Sequence, residues 1–237
     1  NGAMERSNQA RMSKPVEQIK RIITGKIHGG SPAVYVASAV DENAIITDVF
    51  TLVEDRFKNV SFSNESGTSV QTLRNYYVYA EDIDGDAMVE LPALINMHIP
   101  PGTNATSMQY LIRWYAMKTD GGEVDKMFTY HNFVGGWYFE LDSQWINRLT
   151  VLQQSDEYAF HLWDASFTET RPILTITARP GKNQSVQIDE NAFVLYATES
   201  ATYWATLAQE AYDYGITQDV IINRFHLIQR DWKTGET

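Results

Sequence analysis

The chain has 237 residues, of which 43% are hydrophobic and 12% aromatic, and its formal net charge is −11. A chain of this length and apolar content can bury a sizeable core, so we expect a folded protein rather than a disordered one. The acidic balance argues against nucleic acid and anionic membrane surfaces as partners, because like charges repel. The absence of cysteine excludes disulfides, thiolate metal sites and cysteine nucleophiles.

The first predicted element is a helix over residues 14–26, inside a lead-in segment that we assign to residues 1–30. Apolar side chains recur there at steps of three and four residues, namely at Val16, Ile19, Ile22 and Ile23. Ser13 precedes them as a candidate N-cap. No apolar run approaches the roughly 20 residues that a membrane span needs, so we predict no transmembrane span in this sequence.

From residue 31 to residue 133, short β-branched and aromatic runs alternate with turn residues, which predicts antiparallel strands. The runs are PAVYVASAV, AIITDVFTL, FKNVSFS, NYYVYAE, MVELPALINM, MQYLIRWYAM and EVDKMFTYHN. The turn sequence TDGG between the last two runs predicts a hairpin. The stretch IPPGTNATS, residues 99–107, predicts a loop.

The second half of the chain, residues 134–237, continues with shorter predicted strands and ends in helices. The strand-like runs are GWYFEL, RLTVLQ, EYAFHLW, PILTITA and AFVLYA. Helices are predicted over residues 202–214 and 217–224, with Thr217 as the N-cap of the second, and HLIQ predicts a last strand. The predicted fold class is therefore β-rich α+β, with a domain boundary near Val134.

The stretch EDIDGDAMVELP, residues 81–92, places acidic side chains at alternate positions. A curled backbone can point such carboxylates at one centre, Gly85 permits the curl, and carboxylates drawn together repel unless a cation joins them. Hard oxygen ligands favour Ca²⁺ over zinc or copper, and we predict a structural role for the ion. The predicted ligands are the carboxylates of Asp82, Asp84 and Asp86, the carbonyl of Met88 and the carboxylate of Glu90. A solvated acidic β-turn is the alternative.

The residues DIDGDAMVELP resemble the calcium loop of integrin-type FG-GAP repeats. The matching positions are Asp82, Asp84, Gly85, Asp86 and Glu90. Ala87 stands where that family usually has a second glycine, and a positive φ there would strain the loop and weaken the site. The resemblance implies an antiparallel, propeller-blade-like sheet over residues 31–133 that carries the calcium loop.

A second resemblance lies in YHNFVGGWYFELDSQW, residues 130–145, which looks like the opening of PsbP-like domains. Asp142 replaces the family's proline in the turn that ends at Trp145. The resemblance implies a PsbP-like α/β sandwich over residues 134–237. Together the two segments are similar to extracytoplasmic lipoproteins of Gram-positive bacteria. This implies a secreted or cell-surface location, a lipid anchor upstream, and a protein or glycan partner.

The sequence lacks the familiar catalytic motifs G-x-S-x-G, G-x-x-x-x-G-K-[ST], G-x-G-x-x-G and H-E-x-x-H. We therefore expect a non-enzymatic binding or interaction module. One alternative is a carbohydrate or cell-wall binding domain that uses exposed tryptophans, with candidates Trp114, Trp137 and Trp163. Another is a hydrolase with a carboxylate pair, for which the candidates are Glu140 with Asp142 and Asp156 with Glu157.

Overall fold

The computed structural model describes residues 8–75, 78–99, 110–181 and 191–228. The protein is β-rich, as predicted, and its strands form three antiparallel sheets. The strands are β1 (Gln18–Lys26), β2 (Pro32–Ala39), β3 (Ile45–Val53), β4 (Arg56–Asn59), β5 (Glu90–Asn96), β6 (Tyr110–Met117), β7 (Glu123–Asn132), β8 (Trp137–Glu140), β9 (Leu149–Gln154), β10 (Glu157–Trp163), β11 (Thr170–Pro180), β12 (Ala192–Ala197), β13 (Ala201–Leu207) and β14 (Phe225–Leu227). The described helices are α1 (Gln218–Arg224) and the 3-10 segments Val70–Thr72 and Gln209–Tyr214.

The first sheet has the order β1-β2-β3-β4, with each strand antiparallel to the next. The helix predicted over residues 14–26 is wrong, because β1 occupies most of that range and pairs with β2 along its whole length. The isoleucines that suggested a helical face are β-branched and suit a strand. Ile19 and Ile22 are exposed, so their spacing does not mark a buried face.

The carboxylate of Asp48 on β3 is fully buried and ties the start of the described chain to this sheet. Its Oδ1 accepts hydrogen bonds from the hydroxyls of Ser13 (2.8 Å) and Ser69 (2.6 Å) and from the Asn59 amide (2.7 Å). Its Oδ2 accepts from the backbone N–H of Ser13 at 3.1 Å. Hydrogen bonds from several donors make up for the water that a buried carboxylate loses.

The second sheet has the order β12-β13-β11-β10-β9. The helix predicted over residues 202–214 is wrong over its first half, where β13 pairs with β11 and β12, and its second half is the 3-10 segment. Tyr203, Ala205 and Leu207 are buried, which is the two-residue alternation of a strand.

The short helix predicted near the end of the chain is confirmed as α1. The side chain of its N-cap, Thr217, accepts a hydrogen bond from the backbone N–H of Val220. This bond satisfies one of the N–H groups that the first turn of a helix leaves without a partner.

The third sheet has the order β14-β8-β7-β6-β5. The predicted hairpin is confirmed between β6 and β7, where the N–H of Lys118 donates to the carbonyl of Gly122 at 2.8 Å. The predicted last strand is β14, which pairs with β8. The strand predicted over residues 75–81 is not formed at its described residues, where Glu81 makes an isolated bridge to Glu90. The predicted loop at residues 99–107 lies outside the described residues except for Ile99.

The chain divides into two compact units. The described part of the first unit is residues 8–75, 78–94 and 112–127, and that of the second is residues 95–99, 110–111, 128–181 and 191–228. The units interleave along the chain, so they do not correspond one to one with the predicted segments 31–133 and 134–237. The predicted boundary near Val134 stays a prediction.

Each unit has its own apolar core. In the first unit, Tyr35, Leu91 and Tyr115 are fully buried together with smaller apolar side chains. The second unit has a larger core that is rich in aromatic rings, among them Trp137 and Phe160. Among the described residues, no helix combines the length and apolar character that crossing a bilayer requires.

Candidate metal centre

The acidic loop lies in the first unit and is closed by a pair of backbone hydrogen bonds. The N–H of Glu81 donates to the carbonyl of Glu90 at 3.0 Å, and the N–H of Glu90 donates to the carbonyl of Glu81 at 2.8 Å. This bridge sets the two ends of the loop side by side immediately before β5. The intervening residues 82–89 are therefore held in a compact turn.

Within the loop, the aspartates accept hydrogen bonds from backbone N–H groups that follow them. Asp84 Oδ1 accepts from the N–H of Asp86 at 3.2 Å, and Asp86 Oδ1 accepts from the N–H of Met88 at 2.9 Å. Asp82 Oδ2 accepts from the N–H of Ala87 at 3.0 Å. These bonds curl the backbone so that one carboxylate oxygen from each aspartate lies within 4.8 Å of the other two. The three carboxylates can hold a metal ion.

The curl requires left-handed backbone at Gly85 (φ 75°) and at Ala87 (φ 66°). Glycine adopts this conformation without steric cost, whereas the Cβ of alanine approaches the backbone too closely, at a cost of about 1 kcal/mol. Ala87 is the position where the sequence departs from the FG-GAP pattern. The departure therefore falls at a strained residue of the loop.

Replacement of Ala87 by glycine is expected to raise the free energy of unfolding by up to about 1 kcal/mol. Glycine relieves the backbone strain of the folded loop, and this gain outweighs the extra conformational entropy that glycine gives to the unfolded chain. Urea unfolding measures this change. The matched control is Ala93→Gly in β5, which should lower stability because glycine weakens a strand interior. A destabilised Ala87→Gly protein would contradict the strain that we assign to position 87.

Glu90, the predicted last ligand, is fully buried at the start of β5. Its Oε2 accepts a hydrogen bond from the N–H of Ile83 at 3.2 Å, while its Oε1 has no hydrogen-bond partner among the described residues. Burial, and then the negative charges of the three loop aspartates, raise the pKa of Glu90 to about 7. A carboxylate in this position is costly when charged unless a cation compensates it.

The loop also contacts a cation that sequence reasoning missed, the Lys126 side chain on β7. Its Nζ lies 3.4 Å from Asp84 Oδ2 and forms a closer ion pair with Asp86 Oδ2. The Lys126 hydrogen bond is the main cause that lowers the pKa of Asp86, and its contact with Asp86 in turn raises the pKa of Lys126. Lys126 is 40 residues from Asp86 in sequence, so no local pattern could have placed it there.

Backbone contacts from the first sheet support the end of the loop. The N–H of Val89 donates to the carbonyl of Lys26 at 2.9 Å, and the Tyr35 hydroxyl lies 3.1 Å from the carbonyl of Val89. A Cβ added to Gly25 of β1 would lie only 2.3 Å from Val89 Cγ2. Gly25 is thus needed for the close approach of β1 to the residue beside Glu90.

The predicted ligands therefore fall into three groups. Asp82, Asp84 and Asp86 are brought together at the surface, and Glu90 is coupled to them electrostatically from a buried position. Met88 lies within the loop and donates its N–H to Asp86, and the role of its carbonyl as a ligand stays a prediction.

The tryptophans proposed for sugar stacking do not offer exposed faces. Trp114, Trp137 and Trp163 are at most 1% exposed. A sugar ring cannot stack on a side chain that is enclosed by protein, so the alternative based on these three residues loses its basis.

Three of the four acids proposed as hydrolase pairs contact basic side chains instead. Glu140 Oε1 lies 2.6 Å from Nε2 of His226, and Asp142 Oδ2 lies 3.3 Å from the Arg224 guanidinium. Asp156 lies 2.9 Å from the guanidinium of Arg179. These contacts, a hydrogen bond for Glu140 and ion pairs for Asp142 and Asp156, give the three acids a structural explanation.

No protein-family model matches the chain, and no curated protein is significantly similar to it in sequence. The acidic loop, with its buried glutamate and its lysine, is therefore the feature on which a functional inference can be built.

Proposed function

We propose that this protein is a non-enzymatic, extracytoplasmic binding module in which a structural calcium ion organises the loop at residues 82–90. The observation that carries the proposal is the buried Oε1 of Glu90, which lacks a hydrogen-bond partner among the described residues, in a carboxyl group that is coupled electrostatically to three clustered aspartates. Most buried polar atoms are hydrogen-bonded, and a buried carboxylate oxygen without a donor, near three further acids, is a position where a cation would be stabilising.

The donor chemistry favours calcium over the other common metals. The loop offers only oxygen donors, from three aspartates and one glutamate, and oxygen ligands suit Ca²⁺, Mg²⁺ and Mn²⁺ better than zinc or copper. Ca²⁺ accepts six to eight oxygens in flexible geometry, whereas Mg²⁺ demands a near-ideal octahedron and retains water. A loop whose carboxylates come from alternate backbone positions fits the more tolerant ion.

In this proposal the protein supplies the geometry and the ion supplies the missing positive charge. Asp82, Asp84 and Asp86 would hold the ion from the surface, Met88 would add its carbonyl, and Glu90 would connect the ion to the first residue of β5. The proposed ligands come from one short segment, and none is part of a catalytic arrangement. We therefore propose that the ion stabilises the fold and has no catalytic role.

The expected affinity of the loop supports the proposed location. Strain at Ala87 and the positive charge of Lys126 both weaken binding of a cation. Extracellular calcium modules work with dissociation constants of about 10⁻⁴ to 10⁻³ M, which suffices where calcium is abundant. A weak site of this kind suits a secreted or cell-surface protein, in agreement with the FG-GAP-like and PsbP-like resemblances.

Calcium is expected to stabilise the protein by about 2.7 kcal/mol when its free concentration is 100 times Kd. For a chain of this size, that corresponds to a rise in Tm of roughly 5–10 °C. Thermal unfolding with CaCl₂, MgCl₂ or chelator measures the shift in Tm. Calcium should raise Tm more than magnesium does.

Two variants make this experiment specific to the loop. Asp82→Asn should lose most of the calcium shift, whereas Asp213→Asn, which changes an exposed acid in the second unit, should keep it. Equal Tm values in calcium and chelator for the unmodified protein, with no metal found by elemental analysis, would reject the proposal.

A further inference from the structure

We propose that Lys126 is a built-in competitor for the divalent cation, so that metal binding displaces its ammonium group from the loop. The inference rests on the proposed calcium loop and adds an element of regulation to it. Lys126 reaches the loop from β7, and its side chain is only 18% exposed. A lysine ammonium on a long flexible stem can move to solvent without a change in the strand.

Lys126 contacts one particular oxygen of each of two aspartates in the loop. Asp84 and Asp86 each direct Oδ1 to a backbone N–H of the loop and Oδ2 to the Lys126 ammonium. The Oδ1 atoms maintain the curl of the backbone, so the Oδ2 atoms are the ones left for an ion. Lys126 therefore contacts the oxygens that a divalent cation would need.

The lysine ammonium neutralises only part of the negative charge of the loop. The ammonium carries one positive charge, whereas the three aspartates together carry three negative charges. It forms ion pairs with Asp84 and Asp86. The Oε1 atom of buried Glu90 still has no hydrogen-bond partner among the described residues. A divalent ion carries twice the charge of the ammonium and can engage all three aspartates, whose oxygens lie within 4.8 Å of one another, while its charge also offsets that of Glu90. Lys126 thus compensates the acidic cluster only in part, which leaves metal binding favourable.

The Lys126 ammonium and a divalent cation are not expected to occupy the loop together. An ammonium and a divalent cation that share two carboxylates would lie only a few ångströms apart, and like charges at that distance repel strongly. Binding of the ion therefore expels Lys126. The lysine raises the calcium concentration at which the loop fills, and the filled state presents a free ammonium on the surface of β7.

The main experiment compares calcium affinities by titration calorimetry on chelator-treated protein at low ionic strength. Lys126→Gln is expected to bind calcium about three- to tenfold more tightly than the unmodified protein, because one competing charge is removed. The matched control is Lys58→Gln, which removes the same charge from an exposed position on β4 and should change Kd less than about twofold.

The possible outcomes separate this inference from the proposed function. If neither the unmodified protein nor Lys126→Gln binds calcium, the proposed function fails and the competitor role fails with it. If the unmodified protein binds calcium but Lys126→Gln binds equally or more weakly, the calcium loop stands and the competitor role is wrong. Tight binding confined to Lys126→Gln would support competition and reject calcium binding by the natural chain.

A second measurement needs no substitution and so does not depend on the fold of a variant. The rate at which an amine-reactive ester labels Lys126 is followed by peptide mass spectrometry with and without calcium. The rate at Lys126 should rise at least threefold on calcium addition, while the rate at Lys58 stays constant. A lysine that only supports the fold would remain protected, and an unchanged rate under calcium saturation would overturn the inference.

Discussion

Replacement of Glu90 by glutamine is expected to stabilise the metal-free protein at pH 8 and to abolish its stabilisation by calcium. Both effects come from the same buried position. Glutamine keeps the shape of the side chain and its ability to accept the Ile83 N–H. It removes the buried negative charge, which is costly without a cation and which the proposed calcium ion would need.

The sign of the pH dependence follows from the direction of the pKa shift. The folded-state pKa of Glu90 is raised from 4.5 to about 7, so the folded protein binds the proton more tightly than the unfolded chain. The resulting stability is fully present below pH 4.5 and is lost as the pH rises through 7. At pH 8, where Glu90 is charged in both states, its raised pKa lowers the free energy of unfolding by about 3 kcal/mol relative to a neutral Glu90. Glu90→Gln should recover about 2–3 kcal/mol at that pH in chelator and almost nothing at pH 4.5.

Urea unfolding at pH 4.5 and pH 8, with chelator and with calcium, tests both effects. The matched control is Glu157→Gln, at an exposed position that begins β10. This substitution should leave the free energy of unfolding unchanged in all conditions. Two results would contradict the assignment of Glu90: lower metal-free stability of Glu90→Gln at pH 8, or a calcium shift that survives the substitution.

Replacement of Asp48 by alanine is expected to lower the free energy of unfolding by about 3–5 kcal/mol. The substitution leaves the Ser13, Asn59 and Ser69 donors buried or half-buried without their acceptor. Unsatisfied buried donors retain their full desolvation cost. Because Ser13 would lose its attachment to β3, trypsin should also cleave faster after Arg11 in the native protein.

Urea unfolding and limited proteolysis measure these two effects of Asp48→Ala. Asp213→Ala removes a carboxylate from an exposed position and should change stability by less than about 0.5 kcal/mol. Ser13→Ala should reproduce the faster cleavage with a smaller loss of stability, since it removes one hydroxyl and retains the backbone bond to Asp48. Unchanged cleavage in Asp48→Ala would show that this carboxylate does not anchor the segment around Ser13.

Much of the β structure could be predicted, because turn residues punctuate short β-branched and aromatic runs. The alternating pattern of Glu157–Trp163 and the TDGG turn before β7 specify their strands locally. The two wrong helices have a common cause. Steps of three and four among Ile19, Ile22 and Ile23, and of four between Tyr203 and Leu207, also occur by chance in strands. Pairing with neighbouring strands decides such segments, and pairing is not visible in a local pattern.

Some features of the candidate site follow from the local sequence, and others depend on residues that are distant in the sequence. The clustering of Asp82, Asp84 and Asp86 follows from their spacing and from Gly85, so the sequence was sufficient. The burial of Glu90 depends on packing in the first unit, and the contact of Lys126 depends on the placement of β7. These two features determine the electrostatics of the loop, and both depend on tertiary structure.

The narrow space at Gly25 has a consequence for how the loop can change. A Cβ at this position would lie only 2.3 Å from Val89 Cγ2, so the side chain of Val89, the neighbour of Glu90, would have to shift. The residue before Glu90, the predicted last ligand, is therefore packed against a strand that ends more than fifty residues earlier in the sequence. A short peptide that copies residues 81–92 would have the acids but not this packing. Substitutions in β1 are likewise expected to change the placement of Val89 while every acidic residue of the loop is retained.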